Sequence, residues 1–206
     1  MNKVITISRQ YGSGGREIGQ KIAEHYGIPF YDNEIIKQAA KESGFSEQAF
    51  QRVEDKATNS LLYSIAMGMN VYSGLEIGLG GMSVDDRIYI TESKVIRDYA
   101  KKGPCVIVGR CADYVLRDMP NVVNIFIYAS LDYRIKRATE EYKLPVEKAA
   151  ETILKQDKRR ANYYNYHVGE KWANMNNYHM AIRSDFGGID HSVSCIEAFL
   201  NISENE

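Results

Sequence analysis

The chain has 206 residues, of which 44% are hydrophobic, and this is enough to bury a sizeable core within one α/β domain. It carries 26 lysines and arginines against 27 aspartates and glutamates, and the formal net charge of −1 argues against nucleic acid as a partner. The three cysteines lack metal-ligand spacing, and no apolar run reaches the roughly 20 residues that cross a bilayer. We therefore expect a cytoplasmic protein with reduced thiols, without a signal peptide or a membrane partner.

A strand, a glycine-rich turn and a helix follow one another in the N-terminal run KVITISRQYGSGGREIGQKIAEHYG. Residues 4–7 are dense in β-branched side chains, which indicates a buried parallel strand, and from Glu17 the apolar residues fall at helical spacing until Gly27. Three glycines in the turn allow a ligand to approach the backbone: Gly12, Gly14 and Gly15. With the unpaired N–H groups of the helix start, they predict a phosphate-binding loop; the alternative is a tight strand-to-helix connection.

The loop departs from the Walker A pattern GxxxxGK[ST]. If Gly14 is the glycine before the lysine, Gly15 stands at the lysine position and Arg16 at the hydroxyl position, with Glu17 directly after it. We hypothesise that Arg16 supplies the missing charge through its planar guanidinium, and that Glu17 holds magnesium as a carboxylate. The predicted residues for a polyanion such as a nucleotide triphosphate tail are Gly12, Ser13, Gly14, Gly15, Arg16 and Glu17.

A second short strand, IPFYD, ends in Asp32, which places a carboxylate at the carboxyl end of a strand. Asp32 could contact substrate or hold a magnesium-bound water. Capping of the next helix, which begins at Asn33 or Glu34 and runs towards Glu42, is an equal alternative.

Residues 45–86 form a predicted insertion between the second and third core strands. The first half has a helical pattern, and the second half is rich in glycine, which favours a mobile connection. Its methionines, tyrosine and leucines would be awkward in a permanently exposed linker. We interpret this insertion as an acceptor-binding cover; the alternative is a packed helical pair with an irregular turn.

The next pattern is a helix over about 85–101, broken by Gly103 and Pro104, and then the apolar strand CVIVGR. Arg110 follows that strand on the same edge of the sheet as the glycine loop, which favours an anion receptor over a structural salt bridge. Asp113, at the start of the following helix, is predicted to orient Arg110.

After Pro120, the strand NVVNIFIYAS precedes two helices, DYRIKRATEEY and a longer one over about 145–164. Arg134 and Arg137 share one face of the first helix because they are three residues apart. The second helix carries a basic cluster with one acidic residue in it: Lys155, Asp157, Lys158, Arg159 and Arg160. If the helices form a hairpin, the arginine-rich segment 130–166 could close over the loop; the alternative is a solvated basic face.

The chain ends with a strand over about 178–184 and a helix from 188 or 189 to 200. The preceding aromatic residues favour core packing over base stacking: Tyr163, Tyr164, Tyr166 and Trp172. The whole pattern predicts an α/β fold with a five-stranded, mostly parallel sheet and helices on both faces.

This order of elements resembles the nucleoside monophosphate kinases, and the signature ISRQYGSGGREIG with the following PFYD is similar to the cytidylate kinase-like proteins over nearly the full chain. The resemblance implies a single P-loop kinase-like domain over 1–206, with the three-layer P-loop NTPase fold, a helical insertion and a helical lid. It also implies that ATP and Mg²⁺ are used to phosphorylate a small nucleotide, a CMP-like nucleoside monophosphate, with Arg110 on the acceptor phosphate. Arginines of the lid would cover the transferring phosphoryl group, with Asp157 at an acidic position of the lid: Arg134, Arg137, Arg159 and Arg160.

Two alternatives to a nucleotide kinase stay open. The missing lysine and hydroxyl favour an ATP-binding regulatory module without phosphotransfer. The acceptor turn Asp-Ser-Gly of cytidylate kinases is replaced by Asp32-Asn33-Glu34, which favours a kinase of a non-nucleotide metabolite. Under the kinase hypothesis the predicted catalytic residues are Arg16, Arg137, Arg159 and Arg160.

Overall fold

The computed structural model describes residues 2–50 and 83–202. The strands are β1 (Val4–Arg9), β2 (Phe30–Tyr31), β3 (Cys105–Val108), β4 (Val122–Tyr128) and β5 (Met180–Arg183). The helices used below are α1 (Gly15–Tyr26), α2 (Asn33–Ser43), α3 (Val84–Lys101), α4 (Ala112–Val115), α5 (Leu131–Glu140), α6 (Val146–Val168) and α7 (Gly188–Ile202). Most of the predicted insertion, from 51 to 82, lies outside the described residues.

The five strands form one sheet in the order β2-β3-β1-β4-β5, and each described pair is parallel. The prediction of a five-stranded α/β sheet is confirmed. β1 is central, with Ile5 opposite Val106 on one neighbour and Val123 on the other. Because all strands are parallel, their carboxyl ends meet at one edge, where ligands of open α/β sheets bind.

Helices cover both faces of the sheet, which explains why the strands are apolar on both sides. Ile5 and Ile7 of β1 pack with the buried face of α1 and with α7. Val4, whose side chain points to the other face, packs in a second core with α2, α3 and α6. None of the helices among residues 2–50 and 83–202 has the length and apolar character of a membrane span.

The helix boundaries follow local signals closely. Gly27 ends α1 in the left-handed conformation (φ 62°), as predicted, and its N–H bonds back to the carbonyls of Ala23 and Glu24. The predicted end of α6, at Tyr164, is four residues short. The helix continues to Val168 because no breaker stands before Gly169, whose φ is 74°. β2 is shorter than predicted, with only two residues in the sheet.

The last turn of α6 packs against α3 through aromatic rings. His167 stacks on Tyr89, with ring centroids 4.2 Å apart, and contacts the Tyr163 ring at 4.5 Å. Burial lowers the pKa of His167 to about 4 from its ordinary 6.5. The imidazole is therefore neutral in the folded protein at neutral pH.

This pKa predicts a pH-dependent free energy of unfolding. The unfolded chain binds a proton at His167 as the pH falls below 6.5, and the folded chain binds it only near 4. Stability is therefore lost as the pH falls through this window, by up to about 3 kcal/mol from this group. His167→Gln should remove that part of the dependence in urea unfolding between pH 7 and 4, whereas His25→Gln, at an exposed site, should keep it. An unchanged slope in His167→Gln would contradict the assignment.

Candidate active site

The glycine loop joins β1 to α1 with a backbone that only small residues allow. Gly12 and Gly14 are left-handed, with φ of 79° and 80°. A Cβ on Gly12 would lie 2.9 Å from the carbonyl oxygen of Arg134, so the loop touches α5 directly. Gly14 caps α1 and no side chain in the described part of the chain bonds to the cap. The start of α1 is thus left without a side-chain cap among the described residues, as the predicted phosphate-binding loop requires.

Ser13 shapes this loop from inside. Its side chain is fully buried, and its hydroxyl donates to the Gln10 carbonyl at 2.8 Å. The Ser13 carbonyl accepts from the Ser184 hydroxyl at 2.6 Å, which ties the loop to the end of β5. The Gln10 N–H donates to the Ile127 carbonyl of β4 at 2.9 Å. The loop is therefore anchored to two neighbouring strands before any ligand arrives.

The helices α5 and α6 pack on each other and reach over the loop. Asp157 of α6 accepts from the Tyr11 N–H at 2.7 Å and pairs with Arg134 of α5. Arg137 pairs with Glu17 at 2.7 Å, and Arg160 donates to the Arg9 carbonyl at 2.9 Å. The hairpin that the basic cluster suggested is present, and it brings three of the predicted arginines to the loop.

Two buried guanidinium atoms over the loop suit an anionic ligand. Arg134 Nε and Arg137 Nε are buried and have no hydrogen-bond partner within residues 2–50 and 83–202. A Cβ on Gly14 would lie 3.6 Å from Arg137 Nε, so this donor is next to the glycine turn. A buried charged donor without an acceptor is costly, and phosphate oxygens would satisfy it. The residues present therefore fit a polyphosphate.

A cleft of about 210 Å³ opens beside the loop at the carboxyl edge of the sheet. Its charged lining consists of Arg9, Asp32, Arg110, Arg159 and Arg160. Tyr163, Tyr164 and Trp172 supply its aromatic wall. The basic cluster of α6 divides here, because Arg159 and Arg160 line the cleft while Lys155 and Lys158 are exposed to solvent. For those two lysines the solvated-face alternative is the better description.

Arg110 lies in the cleft as predicted, but its carboxylate partner is different. Arg110 Nη1 lies 3.2 Å from Glu92 Oε1, and Glu92, only 1% exposed, also accepts from the Tyr163 hydroxyl at 2.7 Å. Asp113, which was predicted to orient Arg110, instead accepts from the Tyr164 hydroxyl at 2.8 Å. Burial raises the pKa of Asp113. Three consecutive left-handed residues before α4, Gly109, Arg110 and Cys111, make a turn that periodicity cannot reveal.

Asp32 binds arginine rather than the helix that follows it. Its Oδ2 accepts from Arg16 Nε at 2.8 Å, its Oδ1 lies 3.9 Å from Arg9 Nη2, and it makes no capping bond to α2. The capping alternative is therefore wrong. Arg16 itself is 58% exposed and lies over the Phe30 ring, so its guanidinium is at the outer rim.

The two predicted magnesium ligands are both engaged in ion pairs, Glu17 with Arg137 and Asp32 with Arg16. Among the described residues, no group of three acidic, histidine or cysteine side chains could hold a metal by itself. Magnesium in phosphoryl-transfer sites takes most ligands from phosphates and water, with one or two carboxylates. Glu17, in the first turn of α1 and 44% exposed, fits one such position.

Sequence reasoning missed two charged residues of this site. Arg9 lies in the N-terminal signature, and its spacing to Gly14 was a signal that could have identified it. Glu92 had no such signal, because a glutamate within an amphipathic helix ordinarily faces solvent. The aromatic residues were assigned to core packing, and Tyr163 and Tyr164 are indeed buried, yet they also face the cleft with Trp172.

The sequence is similar to known proteins over most of its length. A family profile described as the cytidylate kinase-like family matches residues 4–185. The cytidylate kinase of Pyrococcus horikoshii is 29% identical over 172 residues, which cover 81% of this chain and 74% of that protein. The cytidylate kinase of Methanopyrus kandleri is 24% identical over 207 residues, which cover 96% of this chain and 93% of that protein.

Solved structures share the fold. A crystal structure of an uncharacterized protein from Eubacterium ventriosum superposes with a TM-score of 0.71 at 27% identity, covering 97% of this chain and 98% of that one. Shikimate kinase from Bacteroides thetaiotaomicron gives a TM-score of 0.54 at 12% identity, with 98% and 99% coverage. The second likeness concerns the fold alone, and it agrees with the predicted α/β fold.

Asp157→Asn tests the contact between hairpin and loop. Asparagine can still accept from Tyr11, but it leaves the buried Arg134 guanidinium without a counter-charge. We expect the free energy of unfolding to fall by about 1–3 kcal/mol in urea titrations. The same change at Asp118, whose side chain is 87% exposed, should have little effect. Equal losses in the two variants would contradict the role given to Asp157.

Proposed function

The chain belongs to the cytidylate kinase-like family, and on that premise we propose that it transfers the γ-phosphoryl group of ATP to a nucleoside monophosphate such as CMP. The observation that carries this proposal is the arginine-lined cleft at the carboxyl edge of the sheet, directly beside the glycine loop. Phosphoryl transfer between two phosphates requires two neighbouring anion sites, and the glycine loop and the cleft would be these sites.

The glycine loop is the proposed donor site. Backbone N–H groups at the start of α1 and the positive end of its dipole would bind the phosphate tail of ATP. Arg134 and Arg137 supply buried donors above the loop. The proposed lid, residues 130–166, consists mainly of α5 and α6, and both helices present arginines to the loop. Closure of such a lid would exclude water and limit hydrolysis of ATP.

The cleft is the proposed acceptor site. Arg110, held by the buried Glu92, is a fixed cation of its lining, and α6 contributes Arg159 and Arg160. Trp172, with the two tyrosines of α6, offers an apolar wall on which a base could stack. An acceptor that is already a phosphate anion needs no general base, so the positive lining provides the chemistry that the step requires.

Magnesium, when bound, would neutralise charge that develops on the transferred group. The protein residue that would hold it is Glu17. Asp32 is less suited, because Arg16 and Arg9 both compete for its oxygens.

A regulatory module that binds ATP without transferring phosphate is the second candidate. The observation that favours it is the replacement of the Walker lysine and hydroxyl by Gly15 and Arg16, together with the ion pair that already engages Glu17. Tight binding of ATP without turnover on any acceptor would identify it.

The test is ADP production from Mg-ATP with AMP, CMP, GMP and UMP in turn, alongside calorimetric binding of ATP. We expect stimulation by a single pyrimidine acceptor. Arg110→Gln should then raise the KM for that acceptor at least tenfold and leave the KM for ATP within about twofold, because Arg110 lies in the cleft and not in the loop. Arg117→Gln, an exposed arginine outside the cleft, is the matched control. Turnover only with non-nucleotide phosphates would replace the proposed acceptor class.

Glu17→Gln tests the proposed metal ligand. The amide keeps the shape and can still accept from Arg137, but it binds magnesium weakly. We expect the free Mg²⁺ concentration for half-maximal activity to rise about tenfold at saturating ATP. Glu24→Gln on the same helix, where the exposed carboxylate bonds to Gln20, should leave the Mg²⁺ requirement unchanged. A normal Mg²⁺ requirement in Glu17→Gln would remove Glu17 from the metal site.

A further inference from the structure

Arg9 and Gly15 have exchanged the side chains of the Walker A pattern. With Gly14 as the second glycine of GxxxxGK, the first glycine falls at Arg9 and the lysine falls at Gly15. Arg9 therefore places a large cation at a position where the pattern has glycine. Gly15 has no side chain at the position where the pattern has lysine.

The structure makes these two changes sterically dependent on each other. A Cβ on Gly15 would lie 2.6 Å from Arg9 Cβ and 3.1 Å from Arg9 Cγ, closer than side chains pack. The stem of Arg9 thus occupies the space that a side chain at residue 15 would need. With Arg9 in place, residue 15 therefore has no room for a side chain, and Ile127 Cβ, 3.2 Å from the same position, narrows the space further.

A second glycine makes room for the head of the same side chain. Gly109 follows β3 with a φ of 78°, and a Cβ there would collide with Arg9 Nη1. On the other side, Arg9 Nη2 lies 3.9 Å from Asp32 Oδ1, and the whole side chain is only 20% exposed. The guanidinium is therefore held at a defined place in the cleft, between the glycine loop and Arg110.

Arg16 does not occupy this position. The sequence suggested that Arg16 replaces the lysine, but its side chain is 58% exposed, donates to Asp32 and lies against Phe30. Asp32 thus separates an outer arginine, Arg16, from an inner one, Arg9. The inner one has the lower exposure and shares the cleft with the acceptor-site cations.

We propose that Arg9 supplies the charge of the missing Walker lysine, delivered from the start of the loop instead of its end, and contacts the transferring phosphoryl group from the acceptor side. This rests on the proposed phosphotransfer. A guanidinium offers two parallel N–H donors to phosphate oxygens, where an ammonium acts as a point charge. Arg9 would then bridge the donor and acceptor phosphates during transfer.

The first test is Arg9→Gln, measured by calorimetry and by turnover. We expect Mg-ATP to bind about tenfold more weakly, adenosine to bind unchanged, and kcat to fall by about a hundredfold or more. Arg117→Gln should match the wild type in all three. Wild-type kcat and ATP affinity in Arg9→Gln would overturn the proposal.

The second test restores the pattern itself. In Arg9→Gly/Gly15→Lys the lysine ammonium replaces the Arg9 guanidinium. In Arg9→Gly/Gly15→Ala a methyl group occupies part of the space left by the Arg9 stem, but no charge is restored. We expect the lysine variant to recover kcat and ATP affinity to within about tenfold of wild type, and the alanine variant to remain as impaired as Arg9→Gln. Equal activity in two folded double variants, checked by thermal unfolding, would overturn the charge replacement.

Failure of the proposed phosphotransfer is distinguishable from failure of this inference. If the wild type transfers phosphate to no nucleoside monophosphate but binds ATP, the ATP and adenosine affinities of the same variants still decide the role of Arg9. If neither double variant folds, Arg9→Gln against Arg9→Lys decides it, since Lys keeps the charge and should lose less ATP affinity than Gln.

Discussion

Asp157 makes the interaction on which the geometry of the site depends. Its two carboxylate oxygens engage different parts of the protein, the Tyr11 N–H of the glycine loop and the Arg134 guanidinium of α5. One side chain of α6 thereby links the loop to both helices of the hairpin, α5 and α6. The close contact of Gly12 with Arg134 belongs to the same arrangement. Two further arginines reach the loop through contacts of their own, Arg137 with Glu17 and Arg160 with the Arg9 carbonyl.

The site collects positive charge in a protein that is slightly acidic overall. Four arginines line one cleft. Their mutual repulsion must be offset by nearby carboxylates, because the net charge of the whole chain is close to zero. Glu92 offsets Arg110, and Asp32 lies between Arg9 and Arg16. The remaining excess is positive, which favours an anionic occupant. The formal net charge of −1 therefore argues against a global basic field but says nothing about a local pocket.

Periodicity was sufficient for the architecture, since all five strands and the principal helices outside 45–82 were predicted to within a few residues. Buried parallel strands such as CVIV and the glycines that end helices are local signals, and local signals survive in a single sequence. Contacts between distant residues leave no such signal. The pair between Arg110 and Glu92 joins a turn to the middle of a helix, and the turn itself depends on a left-handed Arg110 that no propensity favours. Asp113 was the nearer carboxylate in sequence, and proximity in sequence misled the prediction.

Arg9 shows why a motif read residue by residue can mislead about function. The Walker pattern records where one solution places its lysine, whereas the physical requirement is a cation at the phosphates and enough room for its stem. In this loop the absence of a Cβ at Gly15 makes room for the stem of Arg9. The loss of the lysine side chain at residue 15 and the presence of an arginine side chain at residue 9 are therefore sterically linked. Gly109, on a different strand, admits the head of the same side chain. A substitution that looks like the loss of a catalytic group is therefore better judged together with the residues whose volume it releases.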